Sequence, residues 1–275
     1  MSDDSIIAGA KGDRFTQYFT LASLTWYLYD LLLTLDLEVN LLWPSKWTLM
    51  KVLYLLQRYL PFIDTVIVVM CWEFGKITNP HSCEALYKTC GWTYFVGMTL
   101  SEIILMRRTL AVWGNGKELH IALFLFLICC IAPVYFMLEK FYEPLTYHPV
   151  PIHGLYCFVT GQNHINFLTW AILTVYDTGL LILIAIPAFR TYRSGGHQST
   201  LFQVVYRDGI LYYLYLVALS GLNVLWILKL PGGDTTLLTS VERVAYSILT
   251  SRAVLHIREQ AYQSGRLPTI GDVVG

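Results

Sequence analysis

The chain has 275 residues, of which 55% are hydrophobic and only 14% charged, and its formal net charge is zero. Soluble domains are about 25% charged, so the deficit points to a bilayer, and a neutral chain leaves no basic footprint for a nucleic acid. Apolar segments near the ~20-residue length of a membrane helix recur along the whole sequence, where the core helices of a soluble protein are shorter.

Residues 1–14 read as a polar tail. MSDDSIIAGAKGD is acidic and lacks the basic start and compact apolar core of a cleavable signal, so the first span is expected to act as its own insertion signal. That span covers about 15–36, with Tyr27, Asp30 and Thr34 on one face. A short loop holding Glu38, Trp43, Pro44, Lys46 and Trp47 leads to a second span at about 51–72. Here Arg58, Pro61 and Asp64 follow one another at spacings of three and share a face. A charge in hydrocarbon costs several kcal/mol unless it is paired or faces the interior of a bundle. The second span therefore requires neighbours and shows which of its sides meets them.

A polar loop with Pro80, Cys83 and Cys90 precedes the third span, about 91–110, which contains Glu102 and ends in Arg107 and Arg108. WGNGKE, from Trp113 to Glu118, predicts a turn. The fourth span, about 119–138, is interrupted by Pro133. Residues 139–164 form the longest loop, rich in proline, tyrosine and histidine, and its aromatic side chains suit an interfacial belt. The fifth span, about 165–189, carries Asn166, Trp170 and Asp177 on one stripe. A basic loop from Arg190 to Thr200 follows, with Arg190 and Arg193 at its start. The sixth span, about 208–228, is expected to turn Asp208, Tyr212, Tyr215, Leu219 and Asn223 to one side. PGGD makes a turn into the seventh, about 237–256, the least apolar span, with Glu242, Arg243 and Arg252. The domain layout is thus a tail, a seven-helix transmembrane domain over 15–257, and a polar tail over 258–275.

Lysine and arginine concentrate after the first, third and fifth spans and beyond the seventh, most clearly at Arg107–Arg108 and Arg190–Arg193. The positive-inside rule then puts the N-terminus outside and the C-terminus in the cytosol; the membrane expected is the plasma membrane. Cys71, Cys83, Cys90 and Cys157 fall on or near the outer, oxidising side. A Cys90–Cys157 disulfide is expected to clamp the long loop over the bundle, with Cys83 or Cys71 as alternative partners. Cys129 and Cys130 read as packing thiols within the fourth span.

Asp30, Arg58, Asp64, Glu102, Asp177 and Asn223 are the candidate intramembrane polar network. Asp30 and Arg58 lie at compatible depths on consecutive spans and are expected partners; Asp64 has no evident partner in the sequence. Span seven contains no lysine for a retinal Schiff base, and the histidines sit in loops or at span ends, away from haem or zinc geometry. No nucleotide-binding glycine loop or nucleophile elbow is present. The expectation is a protein that is not an enzyme and holds neither cofactor nor metal.

YDLLLTLDLEV (Tyr29 to Val39), the W-P-x-x-W loop (Trp43 to Trp47) and RYLPFID (Arg58 to Asp64) resemble one family, as do RRTLAVWG (Arg107 to Gly114), RDGILYYLYL (Arg207 to Leu216) and SRAVLHIRE (Ser251 to Glu259). It is a large basidiomycete fungal family of seven-span membrane proteins, known by a domain of unknown function over the first two spans. The resemblance implies a receptor-like bundle and no established ligand, activity or site residue. The function expected is sensing of a small extracellular ligand between spans two, three, five and six. The answer would pass through Arg107, Arg108, Arg190 and Arg193 to a heterotrimeric G protein or another cytosolic partner. A small transporter or channel, and a structural membrane scaffold, are the alternatives.

Overall fold

Polar side chains on the first helix, α1 (Asp3–Leu41), recur at Thr16, Thr20, Ser23, Tyr27, Asp30, Thr34 and Glu38, and all are buried. Steps of three and four put them on one face. The large apolar residues between them, among them Leu28, Tyr29, Leu32 and Leu33, are exposed. This is the reverse of a water-soluble helix, and it is repeated through the molecule.

The computed structural model describes residues 3–73, 80–114, 116–148, 158–160, 165–193, 209–229 and 238–263. Among them the chain is all-helical apart from one small hairpin. The helices after α1 are α2 (Leu49–Glu73), α3 (Pro80–Val112), α4 (Lys117–Tyr142), α5 (Asn166–Arg193), α6 (Gly209–Lys229) and α7 (Thr239–Gln263). Each overlaps one expected span. Three differ most at the ends: α1 begins within the expected tail and runs past Asp36 to Leu41, α3 starts at Pro80 rather than near Gly91, and α7 continues past His256 to Gln263, into the expected C-terminal tail. Pro80 suits a first helical position, because its missing N–H has no intrahelical partner there.

Among the described residues, three helical stretches are long and apolar enough to cross a membrane: Lys117–Tyr142, Phe167–Arg190 and Gly209–Lys229. The least apolar helix, α7, is the central one. It packs against α1, α2, α3 and α6, and its Glu242, Arg243, Tyr246, Ser247, Thr250 and Ser251 are all buried. An interior helix meets side chains rather than lipid, so it can carry charge where a peripheral helix cannot.

Gly114, at φ 75, provides the left-handed residue that ends α3, and Trp113 donates its indole N–H to the Leu183 carbonyl at 2.9 Å, tying that end to α5. In the long loop, β1 (Thr146–His148) pairs antiparallel with β2 (Phe158–Thr160), Tyr147 opposite Val159. The hairpin lies over a cluster of Phe141, Tyr142 and Leu145 with Tyr87, Trp92 and Tyr147. The rings of Phe141 and Tyr142 are therefore inside this cluster, not in a lipid-facing belt. Tyr156 lies outside the described residues.

Candidate functional site

The sequence-predicted polar residues gather in three places. The first lies between α1, α2 and α7. Arg58, fully buried, points Nη1 at Asp30 Oδ2 (3.0 Å) and Nε at Glu38 Oε2 (3.6 Å), and donates to Thr34. Arg252 of α7 donates from Nε to the other Asp30 oxygen at 2.5 Å. Glu38 also accepts from the hydroxyls of Tyr59 (2.7 Å) and Tyr54 (3.4 Å) and from the Trp43 indole (3.4 Å). Two arginines thus face two carboxylates, and the cluster is neutral. The sequence reading leaves Glu38 and Arg252 out of it, because it ends the first span at Asp36 and puts Arg252 at the cytosolic end. The signal for Glu38 is its step of four after Thr34.

Just beyond this cluster, the W-P-x-x-W loop wraps Lys51. Its ammonium donates to the carbonyls of Trp43 (2.9 Å) and Ser45 (2.8 Å) and lies 4.7 Å from the centre of the Trp47 ring. Two carbonyls and an aromatic face substitute for water around the charge.

The second place is one ion pair. Asp64 accepts from Arg243 Nε at 3.0 Å, with both side chains fully buried, and from Thr65 Oγ1 at 3.0 Å. Arg243 is the partner that the sequence does not reveal. It reaches Asp64 across α3 at Gly97, where a Cβ would collide with the guanidinium. Gly97 is therefore required by close approach, not by backbone conformation.

The third place lies between α3, α5, α6 and α7. Glu242 accepts from Ser220 Oγ (2.5 Å) and from the Asn223 amide. Tyr246 gives its hydroxyl proton to Asp177. Ser220 also lies 3.5 Å from Asp177. Asp177 and Tyr246 are the side chains nearest to hydrogen bonding with Glu102, and Glu242 is a further electrostatic neighbour. Tyr246 stands beside Glu102 as well, but its one proton is committed to Asp177, and both Glu102 oxygens are buried without a hydrogen-bond partner. The arginines of α7 are engaged elsewhere, Arg243 with Asp64 and Arg252 with Asp30. Glu242, Ser220 and Tyr246 are absent from the network expected from the sequence. Their spacings, Ser220 to Asn223 and Glu242 to Tyr246, fit single helical faces and are the available signal.

Beside this acidic group lies a cavity of about 200 Å³. It occupies the end of the bundle where α3, α5 and α7 begin and α4 ends. Its walls include Tyr94, Phe95, Met98, Glu102, Trp170 and Tyr176. Past Glu102 on α3 and past Tyr176 on α5, Leu105, Met106, Leu110, Leu180, Ile184 and Tyr213 pack into one apolar cluster. Tyr213 pins it, donating to the Leu105 carbonyl at 2.9 Å and meeting Thr109 Oγ1 at 3.0 Å. Among the described residues no group of His, Cys, Asp and Glu is arranged to hold a metal ion.

Several expectations need correction. Cys83, not Cys90, is disulfide-bonded; Cys90 remains a thiol and lines the cavity. Because α3 starts at Pro80, Cys83 sits on its first turn, at the loop-facing end, while Cys90 lies two turns deeper, about 10 Å along the axis. Cys71 and Cys157 lie outside the described side chains. On α6 the buried stripe is Gly209, Tyr213, Leu216, Ser220, Asn223 and Ile227, so the expected stripe is rotated, with Asn223 common to both. Tyr215 is 54% exposed; its ring is apolar enough for the outer face. On α5, Trp170 and Asp177 are buried as a stripe, while the Asn166 side chain and Asp208 fall outside the described residues. Arg108 is not a free cytosolic contact: its guanidinium lies over the Tyr212 ring at 5.6 Å and against Gly209. Arg107 is half-buried, and Arg190 and Arg193 are exposed.

Residues 18–63 match the model of DUF6533, a family of unknown function. The match covers the α1–α2 hairpin, and within it fall Asp30, Thr34, Glu38 and Arg58 of the first cluster and the Lys51-wrapped loop. No curated protein matches the chain.

Proposed function

We propose that the chain crosses the bilayer seven times, N-terminus outside, and is a receptor-like sensor of a small extracellular ligand rather than an enzyme. The observation that carries this reading is the cavity: it lies toward the proposed outer end and is closed beneath by the Leu105–Tyr213 cluster. A sensor needs a pocket with a floor. A transporter needs a polar path to both faces, and the apolar packing below Glu102 argues against one on this side of the bundle. A scaffold needs no unmatched buried polar group, whereas Glu102 is unmatched. The seven-span arrangement is supported by the inverted distribution of polarity, since buried Asp30, Arg58, Asp64, Glu102, Asp177, Glu242 and Arg243 contrast with exposed leucines, isoleucines and phenylalanines on α1, α2, α4, α5 and α6. The resemblance to the fungal family supports the plasma membrane of a mushroom-type fungus as its location.

The reply to the ligand passes to the opposite end, where exposed Arg190 and Arg193 suit an acidic cytosolic partner, a heterotrimeric G protein first among them. The test is retention of a fungal G protein alpha subunit by the full chain in lipid nanodiscs, compared with Arg190→Gln/Arg193→Gln. Retention that falls in the variant is expected. A chain that retains no alpha subunit, or retains it equally without the two charges, overturns the signalling reading.

A further inference from the structure

The three polar clusters differ in charge balance. Around Arg58, two arginines meet Asp30 and Glu38; at Arg243 one arginine meets Asp64. Both are neutral. Glu102, Asp177 and Glu242 have hydroxyl and amide partners but no arginine or lysine among the contacts described. Buried carboxyl groups are stabilised by a cation or by several donors. Asp177 and Glu242 have donors at hydrogen-bond distance; Glu102, 3% exposed, has Asp177 and Tyr246 beside it, but neither closes a hydrogen bond to its oxygens. It is also the member of the trio that lines the cavity.

Three more residues of the cavity wall carry buried polar atoms with no partner: Trp170 Nε1, Tyr176 Oη and Thr239 Oγ1. Native proteins leave few such groups, and a cluster of them around one space needs a reason. The indole N–H can only donate, so it calls for an acceptor; the hydroxyls can do either. The remaining wall is aromatic and aliphatic, with Tyr94, Phe95 and Met98 on α3. Aromatic faces favour both flat rings and cations.

We propose that this cavity binds a small aromatic amine, with Glu102 as counter-ion to its ammonium group and Trp170 donating to an acceptor on its body. The proposal rests on the receptor-like reading for its biological sense, though not for its chemistry. An ammonium ion supplies Glu102 with the cation that none of its neighbours provides. An aromatic body fills the space between Phe95, Met98 and Tyr176. The volume is many times what one water requires.

The test uses the full chain in lipid nanodiscs and two probes, 2-phenylethylamine and its uncharged counterpart 2-phenylethanol, read by saturable quenching of tryptophan fluorescence. The amine is expected to bind roughly ten- to a hundredfold more tightly than the alcohol, the span of a charge-assisted hydrogen bond. Glu102→Gln keeps the shape and is expected to abolish that preference. Trp170→Phe weakens both probes and leaves the preference intact; it also shows that a substituted cavity still folds. Equal binding of amine and alcohol, a preference that survives Glu102→Gln, or no saturable amine binding each overturns the proposal. Loss of amine binding with G protein retention intact removes the ligand class alone; binding without retention removes the signalling reading alone.

Discussion

Arg243 and Asp64 test how a single buried ion pair behaves when, among the described residues, its one further partner is the Thr65 hydroxyl on Asp64. Each charge has left water, and each is held by the other at 3.0 Å, with both side chains fully buried. Removing one partner leaves an uncompensated ion, which costs about 3–5 kcal/mol, whereas replacing both by apolar residues of similar volume is often near neutral. We therefore expect Asp64→Asn and Arg243→Met each to lower the melting temperature in detergent sharply, and Asp64→Leu/Arg243→Met to recover most of the loss. A double variant as unstable as the sum of the singles contradicts the pairing. Gly97 belongs to the same unit, because its missing Cβ is the space that the guanidinium occupies. Gly97→Ala should cost about 1–3 kcal/mol by overpacking, and the cost should largely vanish in the Arg243→Met background. An undiminished cost there means that Gly97 serves something other than arginine passage. Nothing local in the sequence joins Gly97, Asp64 and Arg243. They come from three helices, and a glycine required by a distant side chain resembles any other glycine.

At the scale of the helix, Pro61 shows how α2 stays continuous across a proline. Proline has no N–H for the carbonyl four residues earlier, that of Gln57, and its ring crowds the same turn. Ser247 of α7 donates to the Gln57 carbonyl at 3.1 Å, and Tyr27 of α1 donates to the next carbonyl, that of Arg58. Ser247 thus supplies the one donor that the proline withholds, and Tyr27 adds a donor to the neighbouring carbonyl, which also faces the Phe62 N–H along the helix. Ser247→Ala should cost about 1–3 kcal/mol, the penalty of an orphaned buried acceptor. In a Pro61→Ala background, where the restored backbone N–H donates to the Gln57 carbonyl itself, the same change should be close to silent. Equal costs in both backgrounds, measured by thermal unfolding in detergent, contradict the exchange of donors. Helix positions are legible in the sequence because apolar length and turn signals such as WGNGKE and its Gly114 are local. The inward stripe of α5 is legible for the same reason, since Trp170 and Asp177 repeat on one face. The α6 stripe is not: its tyrosines count as polar in the sequence, yet Tyr215 turns its ring outward while Ser220, a weak signal alone, turns inward to Glu242. Charge balance between helices is legible only for Asp30 and Arg58, which sit on consecutive spans; every contact made by α7 with α1, α2 and α3 is remote in sequence.

For the whole molecule the decisive question is what surrounds α1, α2, α3 and α7, which are not among the three helices found long and apolar enough to cross a membrane within the described residues. A count of charges along one helix treats every charge as though lipid met it. Here Asp30, Glu38, Arg58, Asp64, Glu102, Glu242 and Arg243 all face other helices, while the outward side of α1 is leucine and aromatic. In the proposed seven-span arrangement lipid meets only that outward side, so the proposal rests on the packing and not on mean composition. Cysteines at three exposed positions decide between seven crossings and three. Trp47→Cys reports the loop after α1, where Trp47 is 74% exposed; Ala85→Cys reports the start of α3; Glu143→Cys reports the end of α4. Labelling of intact cells by a membrane-impermeant maleimide is measured against the unsubstituted chain, which corrects for Cys90, Cys129 and Cys130. With seven crossings, two spans separate Ala85 from Glu143, so both label in intact cells and Trp47→Cys labels only after permeabilisation. If α4, α5 and α6 alone crossed, Ala85 would label together with Trp47 and opposite Glu143. Labelling of Trp47→Cys alone in intact cells would keep the seven crossings but invert the molecule. The cavity would then open to the cytosol, and a ligand arriving from outside would have no route to Glu102.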